Sequence, residues 1–269
     1  MKFGCCGNMV ATGVDKTGIE IINQLEIIGY DYIELPLAQL MELDDIHFKK
    51  IKEKIERSDI KCEVCNCLFP AYLEIIGSNV NLPKIQEYVE NAFIRAEELG
   101  VEYIVFGSGP AKKVPDGFPM DKAWDQLIIL SKILDSIAKK HNIIVLVEAL
   151  RRAECNIVNT IVEGYKLVKA VKGNNFSLVA DYYHMAIERE DPEILIEVAD
   201  YIKHVHFARV EGRVFPKNIY EDSYLPFINA LKFINYHGRV SIEAYSSDFY
   251  NDAVISLQFL KRFFNSSIK

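Results

Sequence analysis

Four residues able to bind a divalent cation stand at the ends of four successive short apolar runs. They are Glu148 in Val145-Leu146-Val147-Glu148, Asp181 in Leu178-Val179-Ala180-Asp181, His206 in His204-Val205-His206, and Glu243 in Ser241-Ile242-Glu243. A carboxylate at the end of a buried strand costs several kcal/mol unless something pairs with it. Three carboxylates and an imidazole converging on one cation remove that cost together, and so oxygen-rich a set suits Mn²⁺, Mg²⁺ or Co²⁺ better than a thiolate-seeking ion. Taken singly, each has a plainer reading as a helix N-cap or a salt-bridge partner, and Asp181 is placed to cap the turn that follows it. The recurrence on four consecutive runs favours one metal ion per chain.

His204 and His206 are two residues apart on one strand and so face the same side, the barrel interior. His206, nearer the C-terminal end, is the expected ligand, with His204 as a core or supporting histidine. His184, three residues after Asp181, reads either as a solvent-facing loop residue or as a substrate contact beside the metal.

What must position these residues is a repeated strand-and-helix unit. Strands are expected at Lys2–Cys6, Asp31–Leu35, Lys61–Cys67, Tyr103–Phe106, Ile143–Glu148, Ser177–Asp181, Ile202–Phe207 and Arg239–Glu243. Between them run segments with apolar residues at three- and four-residue spacing: Gly18–Ile28, Asp45–Arg57, Leu82–Leu99, Lys122–Lys140, Val158–Val171, Leu225–Asn235 and Asp252–Phe264. Strands joined by helices of this length are parallel. Eight such units close an α/β fold of the (β/α)₈ TIM-barrel type, expected as a single domain over residues 1–269. An open doubly wound sheet is disfavoured because no Gly-x-Gly-x-x-Gly follows the first strand. The long loops after strands, Phe69–Asn81, Gly107–Met120 and Ala208–Glu221, then cap the C-terminal face, where barrels build their sites.

Composition narrows the function classes. A net charge of −7, with Lys and Arg interleaved among Asp and Glu, gives no field to draw in a phosphate backbone. No apolar run approaches the roughly 18 residues that span a bilayer, and the opening Met1-Lys2-Phe3-Gly4-Cys5-Cys6 has no signal-like apolar stretch. The expectation is a cytoplasmic protein that meets neither nucleic acid nor membrane and is compatible with a homo-oligomer. Its six cysteines are expected to be reduced. Cys62, Cys65 and Cys67 suggest zinc or redox work, but Cys62 and Cys65 should face opposite sides of a strand, so buried small hydrophobes are the better reading. Gly107-Ser108-Gly109-Pro110 is either a phosphate-cradling turn or a hinge. Trp124 reads as helix packing, and Glu34, ending strand two, as a weak candidate for a substrate hydroxyl.

The stretches Glu148 to Asn156 (EALRRAECN), Asp181 to Met185 (DYYHM), His204-Val205-His206 and Ile242-Glu243 resemble the xylose-isomerase-like barrels, in particular the ketose 3-epimerases. The resemblance implies that Glu148, Asp181, His206 and Glu243 hold one metal, commonly manganese, and that Glu148 and Glu243 also move protons. It further implies that Glu154, His184 and an arginine beyond His206 bind the sugar. The family usually has Asn-Arg where this chain has Arg151-Arg152, and its arginine lies six residues past the histidine. Arg213 lies seven past His206, which a one-residue insertion within Ala208–Arg213 accounts for.

The expected reaction is proton abstraction next to a carbonyl through a metal-stabilised enediolate, as in ketose 3-epimerisation. Aldose–ketose or hydroxypyruvate-type isomerisation, an inosose-type dehydratase and a catalytically inert sugar-binding barrel are the alternatives. An endonuclease IV type of repair enzyme is disfavoured, because the early strands offer no histidines and the charge is wrong.

Overall fold

The computed structural model describes residues 1–264. Eight strands, β1 (Lys2–Cys6), β2 (Tyr32–Pro36), β3 (Lys61–Asn66), β4 (Tyr103–Phe106), β5 (Ile144–Val147), β6 (Phe176–Asp181), β7 (Ile202–Phe207) and β8 (Arg239–Ile242), pair in parallel in chain order and close β8 onto β1. The fold is the expected TIM barrel.

Helices α1 (Ile22–Ile28), α2 (Leu37–Glu42), α3 (Asp45–Arg57), α4 (Leu82–Glu98), α5 (Gly109–Lys112), α6 (Met120–Lys140), α7 (Ile161–Val171), α8 (Tyr182–Ile187), α9 (Ile194–Glu197), α10 (Tyr224–Phe233) and α11 (Phe249–Phe264) surround the sheet. Three of them, α3, α4 and α7, begin where the sequence supplies a side-chain cap. Asp44 accepts from the His47 amide, Asn81 from Lys84 and Thr160 from Glu163, each answering an N–H that the first helical turn leaves free. The short helices α2, α5, α8 and α9 lie outside the expected segments, because four to six residues are too few to show a helical period.

Strand alternation and register divide each strand between two cores. Outward residues such as Ile33, Leu35, Cys62, Cys65, Val145 and Val205 pack under the helices. Inward residues fill the barrel. Tyr32, Val64, Val105, Leu146 and Val179 form a dry middle layer, and Gly4 leaves room for the Tyr32 ring, which would lie 2.3 Å from an added Cβ. Below it, Arg239 pairs with Glu63 and Glu102, and Glu63 with Lys2, closing the N-terminal end.

The register corrects one expectation. Ile33 pairs with Cys62 but Glu34 pairs with Val64, so a bulge at Glu63 inserts one residue in β3. That extra residue puts Cys62 and Cys65 on the same, outward side rather than on opposite sides. Both remain apolar filling between sheet and helices, as free thiols.

Candidate metal centre and sugar site

The uppermost inward position of each strand is where polarity appears: Cys6 on β1, Glu34 on β2, Asn66 on β3, Asp181 on β6 and His206 on β7. Gly107, Glu148 and Glu243 continue the layer just past β4, β5 and β8. Two registers set the ring, since Asp181 lies beside His206 and His206 beside Ser241, two residues before Glu243. One ligand atom from each of Glu148, Asp181, His206 and Glu243 falls within 4.8 Å of the others, and all four side chains are buried. His206 Nδ1 is 2.8 Å from Glu148 Oε1, 3.3 Å from Glu243 Oε2 and 3.9 Å from Asp181 Oδ2.

Asp181 satisfies both readings the sequence left open. Its Oδ1 accepts the His184 amide at 3.2 Å and caps α8, while its Oδ2, equally buried, has no hydrogen-bond partner. An orphaned buried carboxylate oxygen facing two more carboxylates is costly unless a cation meets it. The donor set, three carboxylates and one imidazole, fits a divalent ion of the Mn²⁺, Mg²⁺ or Co²⁺ kind.

The charges perturb one another in a consistent way. Burial, and the neighbouring Glu243 charge, push Asp181 up to about 6. Burial also raises Glu148, against His206, with Glu243 and Asp181 adding to the rise. For Glu243 burial again acts upward, but Arg213 and His206 outweigh it and hold the group at about 2.

Around this centre lie the three residues expected at the sugar. Glu154 sits on the loop after β5, which Asn159 braces by donating to the carbonyls of Leu150 at 2.6 Å and Cys155 at 2.8 Å. His184 is not solvent-facing. It is buried on α8, its Nδ1 accepts the Arg151 amide at 3.1 Å, and its Nε2 is left without a bond, 3.7 Å from Asp181 Oδ2 and 4.0 Å from Glu154 Oε2. Burial lowers its pKa, which favours a neutral imidazole.

Arg213 is delivered by the β7 loop. Arg209 and Val214 form an antiparallel bridge, Gly212 and Arg213 turn through left-handed conformations at φ 76° and 47°, and the Tyr245 amide donates to the Arg213 carbonyl at 2.8 Å. The guanidinium stacks 4.5 Å from the Tyr183 ring centroid and reaches Glu243 Oε2 at 2.5 Å and Glu154 Oε1 at 3.7 Å. Its rivals for that place are engaged elsewhere, Arg209 with Glu211 and Arg152 with Glu188.

Three residues were underrated by sequence reasoning. Glu34 does not offer itself to a hydroxyl, because both of its oxygens are engaged within the protein. It is wholly buried, bonded to His206, His204 and Ser241. Alternation along β2 places it on the inward side, but its approach to His206 rests on contact across the barrel. Gly107 has a steric reason to be glycine: a Cβ there would meet Glu148 Oε2 at 2.3 Å, so glycine is what lets that carboxylate into the ring. Lys112, fully buried on α5, donates to the Glu148 carbonyl at 3.2 Å and fixes the start of the β5 loop; nothing in its spacing marks it. Trp124 packs against the helical layer, as expected.

The sequence profile of the xylose isomerase-like TIM barrel matches residues 22–263. The chain belongs to that family. Among curated members of the xylose isomerase-like family, the L-ribulose 3-epimerase of Methylomonas sp. strain DH-1 is 26% identical over 227 residues, covering 82% of this chain and 76% of the relative. The D-psicose 3-epimerase of Agrobacterium fabrum is 32% identical over 232 residues, covering 83% and 78%. A solved D-psicose 3-epimerase, determined in the presence of D-fructose, superposes with a TM-score of 0.86 at 19% identity and covers 99% of this chain and all (100%) of the other. At that identity the superposition speaks for the fold.

Proposed function

We propose that this enzyme, an isomerase or epimerase of the xylose isomerase-like family, is a divalent-metal-dependent ketose 3-epimerase of the cytoplasm, with Mn²⁺ as the preferred ion. The observation that carries the reading is the ring of Glu148, Asp181, His206 and Glu243, with two glutamates flanking one imidazole nitrogen and an unbonded carboxylate oxygen on Asp181. Relatives named as L-ribulose and D-psicose 3-epimerases support the substrate class.

The residues of this chain divide the work. When bound, one divalent cation held by the four ligands supplies Lewis-acid polarisation of a ketose carbonyl and the hydroxyl beside it. Glu154, the His184 Nε2 that has no partner and the Arg213 guanidinium orient the sugar oxygens, and the Tyr183 ring stacked on Arg213 holds that cation in place. One glutamate of the Glu148 and Glu243 pair removes the proton from the carbon next to the carbonyl, leaving an enediolate. The other returns a proton to the opposite face of the same carbon, so its configuration inverts. Because the reaction runs both ways, each glutamate is the base for one epimer and the acid for the other.

The test is turnover of D-psicose or L-ribulose by Mn²⁺-loaded protein in deuterated water. Label is expected at the carbon beside the carbonyl, since a carboxylic acid exchanges its proton with solvent. Glu148→Gln and Glu243→Gln should each lose roughly 10²- to 10⁴-fold in rate, the usual worth of general acid–base catalysis. Near-normal turnover by both variants would rule the mechanism out.

A further inference from the structure

Behind the proposed metal centre lies a fourth carboxylate, wholly buried, that the chemistry above does not use. Glu34 Oε1 lies 3.0 Å from His206 Nε2, and Glu34 Oε2 lies 3.0 Å from His204 Nε2. Ser241 Oγ stands 2.6 Å from the same Oε2 and 2.8 Å from the Tyr32 hydroxyl, so the chain of bonds ends in the dry middle layer of the barrel. Glu34, His204, His206, Ser241 and Tyr32 are all 0% exposed.

The two nitrogens of His206 therefore face different worlds. Nδ1 looks at Glu148, Asp181 and Glu243, and Nε2 looks at Glu34. A neutral imidazole carries a single ring proton, and a nitrogen that ligates a cation must offer a lone pair. Where a cation sits among the three carboxylates, Nδ1 gives it the lone pair, and the Glu34 carboxylate, which only accepts, keeps the single ring proton on Nε2. Cys6, Glu34 and His206 also bring ligand atoms within 4.8 Å of one another, which raises the rival reading of a second cation between them. Both Glu34 oxygens, however, already have donors at hydrogen-bond distance, three of them in all, which is the coordination of an accepting anion.

We propose that Glu34 is the positioning residue of the centre: it keeps His206 in the tautomer with hydrogen on Nε2, aims Nδ1 at the three carboxylates, and anchors that setting to the barrel core through His204, Ser241 and Tyr32. The proposal rests on the reading of Glu148, Asp181, His206 and Glu243 as a metal site. Glu34 touches neither cation nor sugar.

Two measurements on the full-length protein test it. In the first, the dissociation constant for Mn²⁺ is read from the free-ion electron paramagnetic resonance signal. Glu34→Gln should weaken it about 10- to 100-fold, the range for losing such a partner, whatever it costs the thermal midpoint of the metal-free protein. Glu63→Gln, a half-buried carboxylate with ion pairs at the opposite end of the barrel, should lower the midpoint and leave Mn²⁺ affinity alone. In the second, the ring N–H signals of metal-free protein are followed by ¹H–¹⁵N correlation. The His206 Nε2 proton should appear far downfield and protected from exchange in the parent, and move in Glu34→Gln and Glu34→Asp, the latter serving if the glutamine variant does not fold. Unchanged Mn²⁺ affinity in Glu34→Gln, two Mn²⁺ ions bound per chain, or a His206 signal indifferent to residue 34 would overturn the proposal. A parent protein that binds no Mn²⁺ yet shows the protected signal would defeat the metal reading and leave the hold of Glu34 on the ring standing.

Discussion

Replacing Gly107 by alanine sets a methyl group where the Glu148 carboxylate now lies. The added Cβ would meet Glu148 Oε2 at 2.3 Å, with Glu148 Cδ at 3.5 Å and Leu150 Cδ2 at 3.6 Å already at ordinary contact. Carbon and oxygen need roughly 3.4 Å, so the carboxylate must retreat by about 1 Å. The fold has little to lose, because Gly107 is outside the left-handed region and the obstructing atom is the far end of a side chain. A glycine-to-alanine change at a compatible backbone is worth a few tenths to about 1 kcal/mol in the chain's favour. The centre has much to lose: Glu148 Oε1 sits 2.8 Å from His206 Nδ1 within a ring that tolerates only about 0.2 Å of error in ligand distance. A 1 Å misplacement typically costs about 10²-fold in rate, or about 2.7 kcal/mol. Gly107→Ala should therefore keep its thermal midpoint within a few degrees while kcat/KM for the ketose falls about 10²-fold and Mn²⁺ binds more weakly. Epimerisation kinetics, Mn²⁺ titration and a melting curve on one preparation decide it. Parent-like activity and affinity in the alanine variant would refute the claim that this glycine exists to admit Glu148.

Asp181→Asn and His206→Ala should lose metal and activity together, whereas His204→Ala should mainly cost stability, on the order of 1–3 kcal/mol for the broken buried hydrogen bond; elemental analysis and melting curves separate the two outcomes. Glu154→Gln, His184→Asn and Arg213→Ala should retain the metal and lose kcat/KM, with Arg209→Ala close to parent because that side chain is paired with Glu211. Mn²⁺ affinity should fall as pH drops below about 6, since Asp181, raised to about 6, and Glu148, also raised, must be deprotonated to ligate; a flat titration from pH 5 to 8 would contradict those shifts. In metal-free protein the same raised Asp181 binds a proton that the unfolded chain has released between its ordinary 3.8 and about 6, so its contribution to stability declines as pH rises through that window, and Asp181→Asn should flatten that part of the curve.

The barrel is legible in the sequence because its signal is repetitive. Each strand buried on both faces is an apolar run, and β1, β4 and β7 fall on their expected bounds. The four proposed ligands stand out for a related reason: a charged residue at the end of such a run is an anomaly, and the anomaly recurs. What escapes is whatever depends on distance across the barrel. Glu34 belongs to the centre only because β2 faces β7 through the interior, 172 residues away in the chain. Gly107 matters only through the space that Glu148 takes, and a glycine after a strand is too common to announce it. The bulge at Glu63 has no local mark either, so the sides assigned to Cys62 and Cys65 followed simple alternation and were wrong by one residue.

The polar layer of the barrel is lopsided. All four proposed ligands come from the second half of the chain, whereas the first half contributes Cys6, Glu34, Asn66 and Gly107 at the same height. Beside them the Asn66 amide donates to Asn8 Oδ1 at 3.1 Å, and the Asn8 amide faces Cys67 Sγ at 3.9 Å. Apart from Glu34 and Gly107, which touch His206 and Glu148, the side chains on this half of the layer are uncharged. Substitutions at Asn8, Asn66 and Cys67 are therefore expected to leave Mn²⁺ affinity at the parent value, which a Mn²⁺ titration checks.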